Sequence, residues 1–220
     1  MTEIFWGDSP ISELTEDSLG GLVQRDGETY YKITNYDAMA PFLMAIVSGS
    51  DHWMFVSSTG GLTCGRRNPE LALFPYYTDD KVHDAWSTTG PQTSILASRN
   101  GKTSLWKPFW PQSDVYGVER NLYKNLAGTR LVFEEINQQL GLSFCYSWAS
   151  SEQFGFVRKC SLANIGSGEV GIEVLDGLRL VLPCGVDAAL QASMSTLLDA
   201  YKQAEALPGY PAALFTMSSI

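Results

Sequence analysis

Seven residues in two nearby stretches hold the densest mixture of chemistry in this chain: Arg66, Arg67 and Asn68, then Tyr76, Tyr77, Asp79 and Asp80. The first three close the run Thr59-Gly60-Gly61-Leu62-Thr63-Cys64-Gly65-Arg66-Arg67-Asn68. Exposed backbone amides and two guanidinium forks can hold a hydroxyl, a carboxylate or a phosphate. The Gly-Lys-Ser/Thr ending of a Walker loop is missing, so the run is not read as a nucleotide cradle. A second reading stays open, in which the glycines only permit tight turns and the arginines pair with nearby acids. The other four residues lie in Phe74-Pro75-Tyr76-Tyr77-Thr78-Asp79-Asp80. Adjacent rings beside adjacent carboxylates supply stacking faces and fixed acceptors for hydroxyls, the mixture a sugar site needs. Neighbouring carboxylates on an extended segment point opposite ways and do not flank one glycosidic bond. Asp79 and Asp80 are therefore read as ligand-contacting or structural groups rather than as a catalytic pair.

His52 and His83 raise the question of acid–base work, since a histidine with a carboxylate can open a sugar ring. Plainer roles are preferred: a turn residue before Trp53, and a solvated side chain between Val82 and Asp84. No catalytic residue is assigned. Trp106-Lys107-Pro108-Phe109-Trp110-Pro111 crowds aromatics against prolines, which suits an exposed platform or a packed corner, and core packing is expected. Glu134, Glu135 and Glu152 are read as solvated charge. Cys64, Cys145, Cys160 and Cys184 show no metal-finger spacing and are read as four buried free thiols, with no metal and no cofactor expected.

The elements that must position these residues are mostly strands. Leu22-Val23-Gln24-Arg25, Asp26-Gly27 and Thr29-Tyr30-Tyr31-Lys32-Ile33 form a hairpin pattern, and residues 93–98 and 102–106 flank Arg99-Asn100-Gly101 as another. Trp53-Met54-Phe55-Val56 reads as a buried strand, and longer alternating runs follow over 129–137, 142–148, 154–162 and 170–175. One helix is expected over 187–206, with Asp187 as N-cap and Pro208-Gly209 as its stop, followed by a strand-like run at 213–217. The fold class that follows is mainly β, an antiparallel sandwich with one principal helix near the C-terminus, in a single domain over 1–220.

Composition narrows the partners. Apolar residues make up 45% and charged residues 18% of the chain, ordinary values for a folded protein. A net charge of −9 opposes a phosphate backbone, so nucleic acid is not an expected partner. No apolar run reaches the roughly 20 residues that cross a bilayer, and no signal-peptide pattern opens the chain, so a cytoplasmic protein without membrane association is expected.

Several stretches taken together resemble a known family: Tyr31-Lys32-Ile33-Thr34-Asn35-Tyr36-Asp37, Arg66-Arg67-Asn68-Pro69, Phe74-Pro75-Tyr76-Tyr77, Glu119-Arg120-Asn121-Leu122-Tyr123-Lys124-Asn125, and Phe154-Gly155-Phe156-Val157-Arg158 with Leu162-Ala163-Asn164. In order and character they resemble the N-terminal sandwich of cellobiose-phosphorylase-like and related glycoside-hydrolase-type enzymes. The resemblance implies a galactose-mutarotase-like β-supersandwich. It also implies an (α/α)6 barrel, in cis or in trans, that holds the general acid; such a barrel needs several hundred further residues. The chain then reads as a piece of a longer enzyme acting on an oligosaccharide or sugar phosphate, with its loops helping to bind substrate or to form a homodimer. The seven residues above are the loop positions that would touch sugar. A stand-alone carbohydrate-binding module and a small aldose-epimerase-like enzyme are the alternatives.

Overall fold

Asp26 and Gly27 both take left-handed backbone, with φ of 52° and 80°, and Asn100 and Gly101 repeat this with 53° and 76°. Paired positive angles give the tight turn whose twist matches two antiparallel strands, so both sequence hairpins form where their turn residues require. A computed structural model describes residues 4–7, 9–11, 19–111 and 115–218, the first two segments by backbone alone.

In chain order the strands are β1 (Ile4–Trp6), β2 (Ser9–Ile11), β3 (Leu19–Arg25), β4 (Glu28–Thr34), β5 (Leu43–Ile46), β6 (His52–Ser57) and β7 (Leu62–Arg66). A short helix α1 (Asp79–Asp84) precedes β8 (Gly90–Arg99), β9 (Lys102–Trp106), β10 (Val118–Asn125), β11 (Arg130–Asn137), β12 (Leu142–Ser151), β13 (Gly155–Asn164) and β14 (Gly171–Arg179). The chain closes on α2 (Ala188–Tyr201), β15 (Lys202–Ala206) and β16 (Ala213–Met217). Among the described residues, β13-β12-β11-β10-β4-β3 form a six-stranded sheet, while β14-β8-β9 and β5-β6-β7 form two three-stranded sheets. Every strand pair is antiparallel.

Alternation along each strand decides which side chains enter the core. Leu122, Leu131, Phe133, Phe144, Tyr146 and Trp148 from the six-stranded sheet meet Met54, Val56, Leu62, Ile95, Ala97 and Trp106 from the smaller sheets in one buried cluster. The fold is a mainly β, antiparallel sandwich. On the opposite face of the large sheet, Tyr30, Tyr123, Val132 and Cys145 make a second cluster.

Four expectations need correction. Helix α2 begins as expected, with Leu190 N–H donating to the Asp187 carboxylate at 2.7 Å, but it ends at Tyr201 and residues 202–206 pair with β16 as a strand. Glu135 is not solvated: it is 2% exposed and lies inside the sandwich, and Glu134 is held by the Tyr123 hydroxyl at 2.5 Å and by Asn121 at 3.0 Å. A carboxylate can be buried only where donors replace its water, and both glutamates find them. Of the four free thiols only Cys64 and Cys145 are buried, while Cys160 and Cys184 reach the surface. Asp79 and Asp80 stand in the first turn of α1 rather than on extended chain.

Candidate functional site

The seven expected site residues fall into two groups. Arg66 ends β7 opposite His52, and Arg67 follows in left-handed backbone, φ 58°, with its N–H donating to the Asp51 carbonyl at 2.8 Å. Both guanidinium groups grip one carboxylate: Arg66 Nε and Nη2 and Arg67 Nε reach Asp51 at 3.1–3.2 Å. Desolvation raises the Asp51 carboxyl, but the hydrogen bonds and charges of Arg67 and Arg66 together outweigh it and hold the group below the usual range. Both arginines remain more than half exposed, so this clamp adds little stability. Asn68 presents its carbonyl to Leu71 N–H at 3.2 Å and opens a single 3₁₀ turn.

Tyr76 is exposed and meets the edge of Trp53 at 5.7 Å, and Trp53 in turn lies 6.1 Å from Phe55. Tyr77 is half-buried. Asp79 and Asp80 are exposed and satisfied locally, by the Asp80 N–H and the Thr78 hydroxyl respectively. No hydrogen bond or ion pair among the described residues joins either aspartate to the arginines. His52 bonds Ser50 at 2.5 Å and lies 3.9 Å from Asp51, while His83 bonds Ser57 at 2.7 Å.

The glycine pair does other work. Gly60 takes φ 95°, a conformation side chains avoid, and closes a turn by donating to the Ser57 carbonyl at 2.9 Å. At Gly61 a Cβ would lie 2.1 Å from the Val82 carbonyl oxygen and 3.1 Å from Trp86 N. The missing side chain lets α1 and the turn after it press onto this loop, and Trp86 is carried in with them. Its ring then meets Trp110 edge to face at 5.1 Å and 78°.

Trp110 and its neighbour Phe109 are placed by a buried carboxylate. Glu135 accepts from Trp106 Nε1 at 2.7 Å, from Phe109 N–H at 2.7 Å and from Arg120 Nε at 2.8 Å. Phe109 has φ 63°, a rare angle for a bulky residue that persists only where its surroundings over-determine it. Arg120 reaches on to Asp37 at 3.2 Å and to the Trp110 carbonyl at 2.8 Å. One acid thus fixes the floor of a cleft whose walls are Trp86, Phe109 and Trp110.

Two adjoining cavities make up this cleft, sharing Thr59, Trp86 and Phe109. The larger, about 200 Å³, adds Tyr36, Asp37, Ser58 and Arg120. The smaller, about 40 Å³, adds Gln92, Trp110, Tyr146 and Arg179. Neither histidine lines them, and none of the seven expected residues does. Arg66 and Arg67 instead border a separate groove of about 610 Å³ against Leu182 and Cys184. No group of three or more His, Cys, Asp or Glu among the described residues is arranged to hold a metal ion. No helix among them is long and apolar enough to cross a membrane.

The crowded aromatics of residues 106–111 were the one signal for this cleft in the sequence, and they split: Trp106 is core, 1% exposed, while Phe109 and Trp110 face the cavities. Trp86, Asp37, Arg120 and Arg179 come from distant segments with no shared spacing. No protein-family model matches the chain, and no curated protein matches it either.

Proposed function

We propose that this chain is a sugar-binding, noncatalytic β-sandwich of a glycoside phosphorylase or hydrolase, working beside an (α/α)6 barrel that supplies the general acid. The observation that carries the reading is the cleft at Trp86 and Phe109, where flat apolar rings stand next to the Asp37 carboxylate, the Arg120 guanidinium and the Ser58 and Thr59 hydroxyls. Sugar rings stack on such faces while fixed donors and acceptors select their hydroxyls. Tyr76, exposed against Trp53, and the exposed Asp79 and Asp80 supply a second place for an oligosaccharide to touch, beside Arg66, Arg67, Asn68 and Tyr77.

Thermal unfolding in the presence of glucose, cellobiose and maltose tests this. A ligand that binds only the native state at about one hundred times its dissociation constant stabilises it by about 2.7 kcal/mol. For a chain of this size that is a rise of roughly 5–10 °C in melting temperature. Trp86→Ala should weaken the best sugar about tenfold by removing one stacking face. No shift with any sugar, or a shift untouched by Trp86→Ala, Tyr76→Ala and Asp80→Ala alike, would sink the proposal.

A further inference from the structure

Arg179 projects from the end of β14 into the smaller cavity without a carboxylate partner among the described residues. Its Nη2 donates to the Trp86 carbonyl at 2.7 Å and its Nη1 to the Ser87 carbonyl. Its Nε is buried and bonds nothing. Arg120 holds Glu135 and Asp37, and Arg158 forks onto Asp176 at 2.6 and 2.9 Å, whereas Arg179, like Arg99, meets no carboxylate among the described residues. A guanidinium partly withdrawn from water gains from an anion or a full set of acceptors, and two backbone carbonyls leave the half-buried Arg179 short of both.

Two further polar side chains in this cavity can donate. The Gln92 amide and the Tyr146 hydroxyl line it and make no hydrogen bond to another described residue. Tyr146 is buried, which pushes its phenol well above the ordinary range, and it keeps its proton as a donor. Arg158 lies over the Tyr146 ring at 5.2 Å, with its charge matched by Asp176. Among the described residues no Asp or Glu lines the cavity. The residue after Arg179, Leu180, sits at φ 57°, a strained angle for its type.

Size sets the ligand class. A volume of about 40 Å³ holds a few water-sized groups and no pyranose ring, whereas the adjoining 200 Å³ cavity is open to one. We infer that the small cavity is an oxyanion subsite, in which Arg179, Gln92 and Tyr146 take the phosphoryl or carboxylate group of a sugar whose ring lies between Trp86 and Phe109. This rests on the sugar-binding reading and sharpens it to sugar phosphates or uronic acids.

Isothermal titration of the chain with glucose, glucose 1-phosphate, glucuronate and inorganic phosphate tests it. Of the two charged sugars, the tighter identifies the oxyanion, and it should bind at least about tenfold better than glucose through one charge-assisted contact. Arg179→Gln and Gln92→Ala should each remove that preference while leaving glucose unchanged. Gln92 has no structural bond to lose, so Gln92→Ala keeps the test meaningful if Arg179→Gln unfolds. Equal affinity for glucose and both charged sugars overturns the inference and leaves the sugar-binding reading in place. A preference that survives both substitutions overturns the location. Inorganic phosphate binding without any sugar keeps the oxyanion subsite and overturns the sugar reading, and no binding at all overturns both.

Discussion

Replacing Glu135 tests whether one buried acid holds the cleft together. In Glu135→Ala the Trp106 indole N–H, in a residue 1% exposed, loses its acceptor at 2.7 Å, and the Phe109 N–H loses its own. Arg120 keeps Asp37 and the Trp110 carbonyl but surrenders its closest carboxylate, at 2.8 Å. Removing one partner of a buried ion pair costs about 3–5 kcal/mol, and each orphaned neutral donor about 1–3 kcal/mol. These groups act as one network, so the terms do not add. Release of the left-handed Phe109 backbone returns about 1–2 kcal/mol. The net expectation is a loss of about 4 kcal/mol, a fall of roughly 8–16 °C in melting temperature. Glu135→Gln, which keeps one acceptor and the shape, should cost about half as much. Urea denaturation supplies the free energies, and tryptophan fluorescence reports whether Trp110 leaves Trp86. Glu152→Ala, at an exposed position, serves as the control and should stay within about 0.5 kcal/mol. If both Glu135 variants also stay within about 1 kcal/mol of the parent, the carboxylate does not organise the cleft and the argument fails.

The Asp176 carboxyl is pushed up by burial, but hydrogen bonds from Arg158 and Thr93 more than offset this and hold it below the usual carboxylate range. A depressed carboxyl contributes stability above its unfolded pKa of about 3.9 and loses it as pH falls through the lower folded value. Asp176→Asn should therefore cost about 1–3 kcal/mol at pH 7 and progressively less below pH 4; a gap between the variants that is constant from pH 7 to pH 3 would contradict this. Thiol titration of the native protein at pH 8 should find Cys184 reacting first and Cys160 slowly, because burial pushes Cys160 up to about 11, and Cys64 and Cys145 silent until unfolding. Two equally fast thiols would show that burial does not hold Cys160 back.

Period-two alternation and two-residue turns are local signals, and they carried the strands and hairpins of the fold into view. Asp26-Gly27 and Asn100-Gly101 could be placed by their left-handed angles alone. Helix α2 was legible at its start, where the Asp187 cap is a side-chain property, and misjudged at its end. Lys202 to Ala206 carry helix-compatible residues, and pairing with β16 overrides that preference. Glu135 was misread because nothing next to it in sequence announces its donors: Trp106 and Arg120 arrive from β9 and β10. The cleft escaped for the same reason, since Asp37, Trp86, Phe109, Arg120 and Arg179 become neighbours only after the sheets pack. The seven residues singled out at first are neighbours in sequence, and the structure ties Arg66 and Arg67 to Asp51 instead of to the aspartates that follow them.

The pairing of β4 with β10 also shapes how the chain reaches its fold. Residues 30–34 meet residues 121–125, so β5 to β9 must be looped out before the large sheet can close. The β3–β4 hairpin and the β10–β13 meander each close on short turns and can form early on their own. Joining them pays the entropy of a long loop before any contact across the seam returns it, which makes this docking the slow step among otherwise local events. Until it happens, Tyr31 and Ile33 on one side and Leu122 and Lys124 on the other present unpaired strand edges to solvent. The interval between the two hairpins is therefore when the chain is most exposed to pairing with another copy of itself.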